Sequence, residues 1–289
     1  MDAFLQNERS VKHHGPSEET AGFHYITLGE GPLVILVHGW NNNWYGFWPL
    51  IEQLSGCRVM SVDQLGYGTS ANLASAYSVE AMADRLADLV RTLPDTYKCI
   101  GGLSLGSAVV ARFAQKHGDL VQGAFLMGPP ILKKKSIGSG FFRRMMRLID
   151  RHRWMYPVGK RLISSAPYSH MTARFLNMYR YDRRLISRYG LSGRKQVRGD
   201  ALFQMGKSVG NFDLAAAIEH THIPLRIIYG KHDKLVDHAR AQELARHQAN
   251  LQLVYIEKAG HVVCLEKPSE TADAIRSFLQ DLQFPFQDV

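Results

Sequence analysis

Residues 98–106 read Lys98-Cys99-Ile100-Gly101-Gly102-Leu103-Ser104-Leu105-Gly106, and this stretch decides the fold. Lys98 to Gly101 has the apolar content of a short strand, and Leu105 to His117 has the periodicity of a helix. Between them, Gly102 to Gly106 forms a G-x-S-x-G sequence in the strand-to-helix context that such a turn requires. A turn this sharp holds Ser104 in a strained backbone conformation. Side chains larger than hydrogen two residues away on either side would clash. The turn exposes the Ser104 hydroxyl, and the helix N-terminus behind it favours developing negative charge. Gly118 is read as the residue just past the end of that helix, in the left-handed conformation common there.

Outward from this turn, short apolar runs alternate with helical patterns. Phe23–Leu28, Leu33–Val37, Arg58–Val62, Val121–Met127, Leu225–Tyr229 and Leu251–Ile256 read as further strands. Leu33–Val37 is apolar and β-branched throughout, which suits a strand buried on both faces. Ser78 is placed to cap a helix whose apolar residues Val79, Met82, Leu86, Leu89 and Val90 share one face. Ala239–His247 and Pro268–Leu282 read as two more helices, the second with proline in its first turn. Strands alternating with helices predict an α/β fold, a mainly parallel sheet with helices on both faces.

A serine hydroxyl becomes a useful nucleophile only when a base takes its proton. In this architecture the chain order runs serine, then acid, then histidine. His261 fits the base, because it follows Ala259-Gly260 in a loop after the last strand. Asp233, in Gly230-Lys231-His232-Asp233 just past a strand, fits the acid that orients the imidazole. Asp237 is the alternative acid. Taken singly, each of these is an ordinary loop residue; the order and the strand-end placement single them out together. The oxyanion produced by attack on a carbonyl calls for two backbone N–H donors, assigned to Leu105 and to Trp40 in His38-Gly39-Trp40. Trp40, Phe141 and Phe142 are candidate substrate-binding side chains. Trp44, Phe47 and Trp48 either add apolar lining or pack beneath their loop.

The chain of 289 residues divides into a polar leader (1–22), a core (23–130 and 208–289) and a helical insertion (131–207). The insertion carries 19 Lys or Arg against 3 Asp or Glu, +16, whereas the rest carries 16 against 23, −7. Clustered charge of one sign steers ligands of the other. An anionic partner or a membrane surface is therefore expected at this basic cap. In the stretch from Phe141 to Trp154, Phe141, Phe142, Met145, Leu148 and Ile149 share one helical face and arginines fall largely elsewhere, the pattern of an interfacial helix. The bland alternative is a solvated lid whose arginine stems cover apolar surface. Nucleic acid is disfavoured, because no recognition motif accompanies the charge.

Cys57, Cys99 and Cys264 are scattered and odd in number, giving no disulfide framework and favouring a reducing compartment. The group His220, His222, His232 and His238 matches no structural zinc spacing. No metal and no cofactor are expected. No apolar run approaches the ~18 residues of a transmembrane helix. Met1 to Thr20 lacks the apolar segment of a signal peptide. A cytoplasmic protein is expected, with peripheral membrane attachment through the basic segment as a further option.

These motifs together closely resemble the α/β-hydrolase superfamily. The resemblance rests on His38-Gly39-Trp40, Asp63-Gln64-Leu65-Gly66-Tyr67-Gly68-Thr69-Ser70, Gly102 to Gly106, Ile223-Pro224 leading to Gly230-Lys231-His232-Asp233, and Gly260-His261 with Glu266-Lys267-Pro268. It spans about Phe23 to Pro130 and Ser208 to Leu282. It implies an eight-stranded sheet, a cap inserted after the sixth strand, and loop-shaping roles for Asp63 and Gly66. His-Gly-Trp with leucine after the serine resembles the carboxylesterases that demethylate pimeloyl-acyl-carrier-protein methyl ester, which hold an acidic carrier protein on a basic cap. Ser107 departs from the second glycine of many relatives.

The implied activity is hydrolysis of a carboxylic ester, carrier-protein-linked, CoA-linked or lipid, through an acyl-enzyme. Similar cores serve monoacylglycerol lipases, lactonases, haloperoxidases and carbon–carbon bond hydrolases. An acyltransferase or carbon–carbon bond hydrolase is the alternative, and a non-catalytic ligand-binding module the remote one. Epoxide hydrolases and haloalkane dehalogenases are disfavoured, because they need aspartate at position 104.

Overall fold

The computed structural model describes residues 11–73, 76–131 and 137–285, the side chains of 137–143 excepted. Its eight strands are β1 (Lys12–His14), β2 (His24–Leu28), β3 (Leu33–Val37), β4 (Arg58–Asp63), β5 (Lys98–Leu103), β6 (Gly123–Met127), β7 (Leu225–Gly230) and β8 (Leu251–Ile256). They form one sheet in the order β1-β2-β4-β3-β5-β6-β7-β8. Strand β2 is antiparallel to both of its neighbours, and every pair from β4 to β8 is parallel. Strand β1 lies inside the segment read from sequence as a polar leader. Its three residues are polar and largely exposed at the sheet edge, so no hydrophobic pattern announces them.

The helices are α1 (Val79–Thr92), α2 (Leu105–His117), α3 (Ile137–Arg151), α4 (Tyr156–Ile163), α5 (Ala166–Thr172), α6 (Gly199–Asn211), α7 (Leu214–Glu219), α8 (His238–His247) and α9 (Pro268–Asp281), with shorter turns between them. Ser78 caps α1 by accepting the N–H of Ala81. Gly118 corrects an expectation: its φ of −62° is right-handed, and it continues into a 3-10 turn, Gly118–Leu120. The chain tightens there instead of reversing, so no left-handed residue is required.

Strand β3 shows how the sheet is covered. Leu33, Ile35 and Val37 join the apolar layer formed with α1, α2 and α6, while Val34 and Leu36 join Trp48, Ile275 and Phe278 on the opposite face. The period of two in side-chain direction thus feeds two separate layers, and the strand is buried from end to end. Phe47 and Trp48 are fully buried in the second layer, where they pack beneath their loop. The described part of the insertion, 137–207, contains helices and turns and no strand. Within α3, Met146 and Ile149 face inward and are buried while Leu148 stays exposed. The apolar face anticipated as an interfacial surface is therefore partly spent on internal packing. Phe141 and Phe142 fall in α3, and their side chains lie outside the described residues.

Candidate active site

Four loops leave the carboxyl ends of parallel strands β3, β5, β7 and β8 and meet at one rim of the sheet, the usual place for a site in such a fold. From β5 the chain enters Ser104 at φ 53° and ψ −112° and then opens α2. A non-glycine residue in this region costs on the order of 1–3 kcal/mol and persists only where its surroundings enforce it. Here the Ser104 N–H donates to Met127 O at 2.8 Å, and Ser104 O accepts the Ser107 N–H at 2.9 Å. The flanking glycines are dictated by contact. A Cβ on Gly102 would lie 2.3 Å from Gly106 O, and one on Gly106 would lie 2.1 Å from Val37 O. Ser107 is fully buried, and its hydroxyl lies 2.7 Å from Gly102 O and 3.0 Å from Met127 O, tying the turn to β6.

The structure brings together the three residues singled out from sequence. His261 Nε2 lies 2.8 Å from Ser104 Oγ, and His261 Nδ1 lies 2.8 Å from Asp233 Oδ2. Asp233 and His261 are buried, and Ser104 is partly exposed at the rim. Burial alone would raise the Asp233 carboxyl. The electrostatic pull of the His261 ring and its hydrogen bond, with the Leu235 N–H at 2.9 Å, outweigh it and hold the carboxyl below its ordinary range. An ionised carboxylate only accepts, so Nδ1 carries the proton and Nε2 is left to accept from the serine hydroxyl. Asp237 is not part of this chain of contacts. It caps α8 by accepting the Arg240 N–H.

On the β3 side, Leu105 is the first residue of α2, so its N–H has no intrahelical acceptor. Gly39 packs against the end of β5, where a Cβ would lie 3.2 Å from Leu103 O and 3.6 Å from Ser104 Cβ, which sets Trp40 next to the turn. The Trp40 indole N–H donates to Leu202 O of α6 at 2.8 Å, anchoring this loop to the inserted helices. His38 shapes the loop from below. Gln64 N–H donates to its Nε2 at 3.0 Å, so Nδ1–H is the donor to Gly39 O at 2.8 Å. Asp63 has the loop-shaping role that the resemblance implies: its carboxylate accepts the N–H of Trp44 and Thr69 and meets His24 Nδ1.

Three residues that hold His261 escape a search for chemical groups. Gly128 has a φ of +54°, and a Cβ there would lie 2.9 Å from His261 O and 3.2 Å from His261 Nδ1. The signal in the sequence was a glycine at a strand end just before Pro129-Pro130. Asn177, in the insertion, accepts the His261 N–H at 2.8 Å through its carbonyl. Glu266 accepts the Gly260 N–H at 2.7 Å with one oxygen, and the N–H groups of Tyr179 and Arg180 at 2.8 and 3.1 Å with the other. Burial, with the nearby Asp233 charge, keeps the Glu266 carboxyl above its ordinary range despite those three donors. The histidine loop and the insertion are thus fastened to each other.

A family model described as alpha/beta hydrolase fold matches residues 32–268. The chain belongs to the alpha/beta hydrolase fold family. Among relatives in this family, 2-(acetamidomethylene)succinate hydrolase of Mesorhizobium japonicum is 26% identical, the match covering 87% of this chain and 89% of the relative. The soluble epoxide hydrolase of Corynebacterium sp. strain C12 is 26% identical, over 94% of this chain and 99% of the relative. The solved structure of the esterase EaEST from Exiguobacterium antarcticum shares the fold, with a TM-score of 0.70 at 19% identity over 89% of this chain and 95% of the esterase. The two relatives are named as hydrolases and the solved structure as an esterase.

Proposed function

We propose that this chain is a serine carboxylic ester hydrolase in which Ser104 is the nucleophile, His261 the general base and Asp233 its orienting acid. The observation that carries the proposal is the continuous contact from Asp233 Oδ2 through both ring nitrogens of His261 to Ser104 Oγ, at 2.8 Å in each step. A hydroxyl at position 104, in place of a carboxylate, separates this reading from epoxide opening through an alkyl-enzyme ester.

The reaction runs in two halves. Ser104 Oγ attacks the ester carbonyl while its proton moves to His261 Nε2, and Asp233 stabilises the imidazolium. The backbone N–H groups of Leu105 and Trp40 take the oxyanion. His261 returns the proton to the leaving alcohol, giving an acyl-serine. Water then attacks with His261 again as base, releasing the carboxylic acid and restoring the serine. No step calls for a metal or an organic cofactor.

The test combines a fluorophosphonate label with p-nitrophenyl esters of increasing chain length. Wild-type protein is expected to label and to turn over at least one ester, and Ser104→Ala to do neither. Label retained on Ser104→Ala overturns the nucleophile assignment. A reactive serine with no ester turnover would favour carbon–carbon bond cleavage or acyl transfer.

A further inference from the structure

Large apolar side chains that remain in solvent are concentrated in one region. Among the described residues they comprise Tyr97 and eight residues between Leu148 and Tyr179, all in the insertion. Trp154, Val158 and Leu162 are 75%, 71% and 64% exposed. They are spaced by four along the 3-10 turn Arg153–Met155 and the α4 helix that continues it, which puts them in one axial row. The opposite side of α4 is already satisfied. Tyr156 and Ile163 are buried there, and Gly159 packs against Phe203. A helix apolar on both sides, with one side uncovered, has a further surface to meet. Met171, Phe175 and Tyr179 continue the exposed set at the same spacing.

The charge along this surface is predominantly positive. Residues 148–180 contain six Lys or Arg and one acid, Asp150, a net of +5. Asp150 is offset by the Lys207 ammonium at 2.6 Å and also accepts the Tyr156 hydroxyl proton at 2.6 Å. Arg151, Arg153, Arg161, Arg174 and Arg180 are exposed. The region also adjoins the site. Asn177 O holds the His261 N–H, and Tyr179 N–H is held by Glu266.

From this we infer that the α4–α5 face of the insertion docks on the surface of an anionic phospholipid bilayer, with Trp154, Val158 and Leu162 entering the interface. A lipid surface fits this combination better than an acidic protein. Charge alone would suffice to attract an acidic protein, and a row of bulky apolar tips with arginines on its flanks would be left without use. At a bilayer the tips enter the acyl boundary, tryptophan sits at headgroup level, and arginine stems let guanidinium groups reach lipid phosphates. No helix among the described residues is long and apolar enough to cross a membrane, so the contact is with the surface. The inference stands independently of the ester-hydrolase reading.

The test is co-sedimentation with vesicles of phosphatidylcholine containing phosphatidylglycerol, against pure phosphatidylcholine. Wild-type protein is expected to partition roughly tenfold or more in favour of the anionic vesicles, less so at high salt. The combined variant Trp154→Ser, Val158→Ser, Leu162→Ser is expected to weaken partitioning roughly a hundredfold with its charge unchanged. Arg153→Gln with Arg161→Gln is expected to remove the preference for anionic lipid. Circular dichroism and fluorophosphonate labelling check that each variant is folded. Failure of labelling in wild type, with vesicle binding intact, would sink the ester-hydrolase reading and leave this one standing. The inference is overturned if wild type ignores both vesicles at low salt, or if the serine variant binds as wild type does. It is equally overturned if the wild type binds no vesicle but either dimerises through this face or captures an acidic carrier protein.

Discussion

Glu266 Oε2 accepts the N–H of Gly260, the residue immediately before His261, at 2.7 Å. The other oxygen of the same carboxylate holds Tyr179 and Arg180 of the insertion. One side chain therefore sets the distance between the proposed base and the cap, without touching either Ser104 or Asp233. Glu266→Gln preserves shape but has one acceptor oxygen, so one end of the clamp is lost. We expect kcat to fall roughly tenfold with little change in KM, because the group acts through the placement of His261. Stability is expected to fall by about 1–3 kcal/mol as a buried N–H loses its acceptor. Ester kinetics and thermal melting check both. A lower melting temperature with unchanged kcat would reduce Glu266 to a structural strut.

Asp233 and Asp237 compete for one role in the sequence, and the contacts separate them. Asp233→Asn leaves the geometry nearly intact but removes the charge that selects the Nδ1–H tautomer. Ester turnover is expected to fall on the order of 10⁴-fold. Asp237→Asn keeps a competent helix cap, and kcat is expected to stay close to wild type. Asp237→Ala is expected to cost about 1 kcal/mol of stability and no chemistry. Steady-state kinetics with urea unfolding on the three variants decide it. A large kcat loss in Asp237→Asn, with Asp233→Asn active, would reverse the assignment.

What the sequence made legible follows from the range of the interactions involved. Leu33–Val37 and Leu251–Ile256 were bounded by turn residues and built of β-formers, so local chemistry alone located them. The turn at Ser104 was legible because its two glycines flank the serine at a fixed spacing, although only Gly102 is forced by a contact within a few residues and Gly106 is forced by Val37 of β3. By contrast, β1 forms because Lys12–His14 finds the open edge of β2, a partner that no property of those three residues predicts. The Glu266 clamp and the Asn177 carbonyl join segments far apart in sequence. Backbone N–H and C=O groups look alike at every position, so such joints leave no compositional trace. The apolar face of α3 was visible as a pattern, but which neighbour would bury it was not. That choice moved the exposed apolar row to α4.

Ser107 stands where a glycine would have been unremarkable, and its hydroxyl spans Gly102 O and Met127 O. Met127 O also accepts the Ser104 N–H, so the two serines share an anchor on β6. Ser107→Ala removes the donor and leaves the cavity size nearly unchanged. The expected cost is about 1–2 kcal/mol, with kcat within a few-fold of wild type because the Ser104 N–H bond to β6 survives. Urea unfolding and fluorophosphonate labelling rate check this. A labelling rate that collapses while the unfolding midpoint holds would show that the Ser107 hydroxyl shapes the nucleophile itself.

His38 is expected to make the stability around the proposed oxyanion loop depend on pH. Burial lowers its pKa from the ordinary 6.5, against the opposing pull of the Asp63 charge and the Gly39 carbonyl. The neutral ring is required by its contacts, since Nε2 must accept the Gln64 N–H. In the unfolded chain the imidazole takes a proton near its ordinary pKa, while the folded protein resists protonation to lower pH. The unfolded state therefore binds more protons in that interval, and stability falls as pH drops below 6.5 toward the folded-state pKa. The slope due to His38 is at most about 1.4 kcal/mol per pH unit. His13 and His14 are also lowered by burial, so the comparison has to be made between wild type and His38→Gln. The variant is less stable at neutral pH but is expected to lose less on acidification, narrowing the gap in urea midpoints. Protonated His38 cannot accept from Gln64, so Gly39-Trp40 is expected to loosen only at pH below that interval, where the folded protein itself takes the proton. Parallel wild-type and variant slopes would show that His38 stays neutral in both states or is protonated in both, and the loop would then carry no pH dependence of its own.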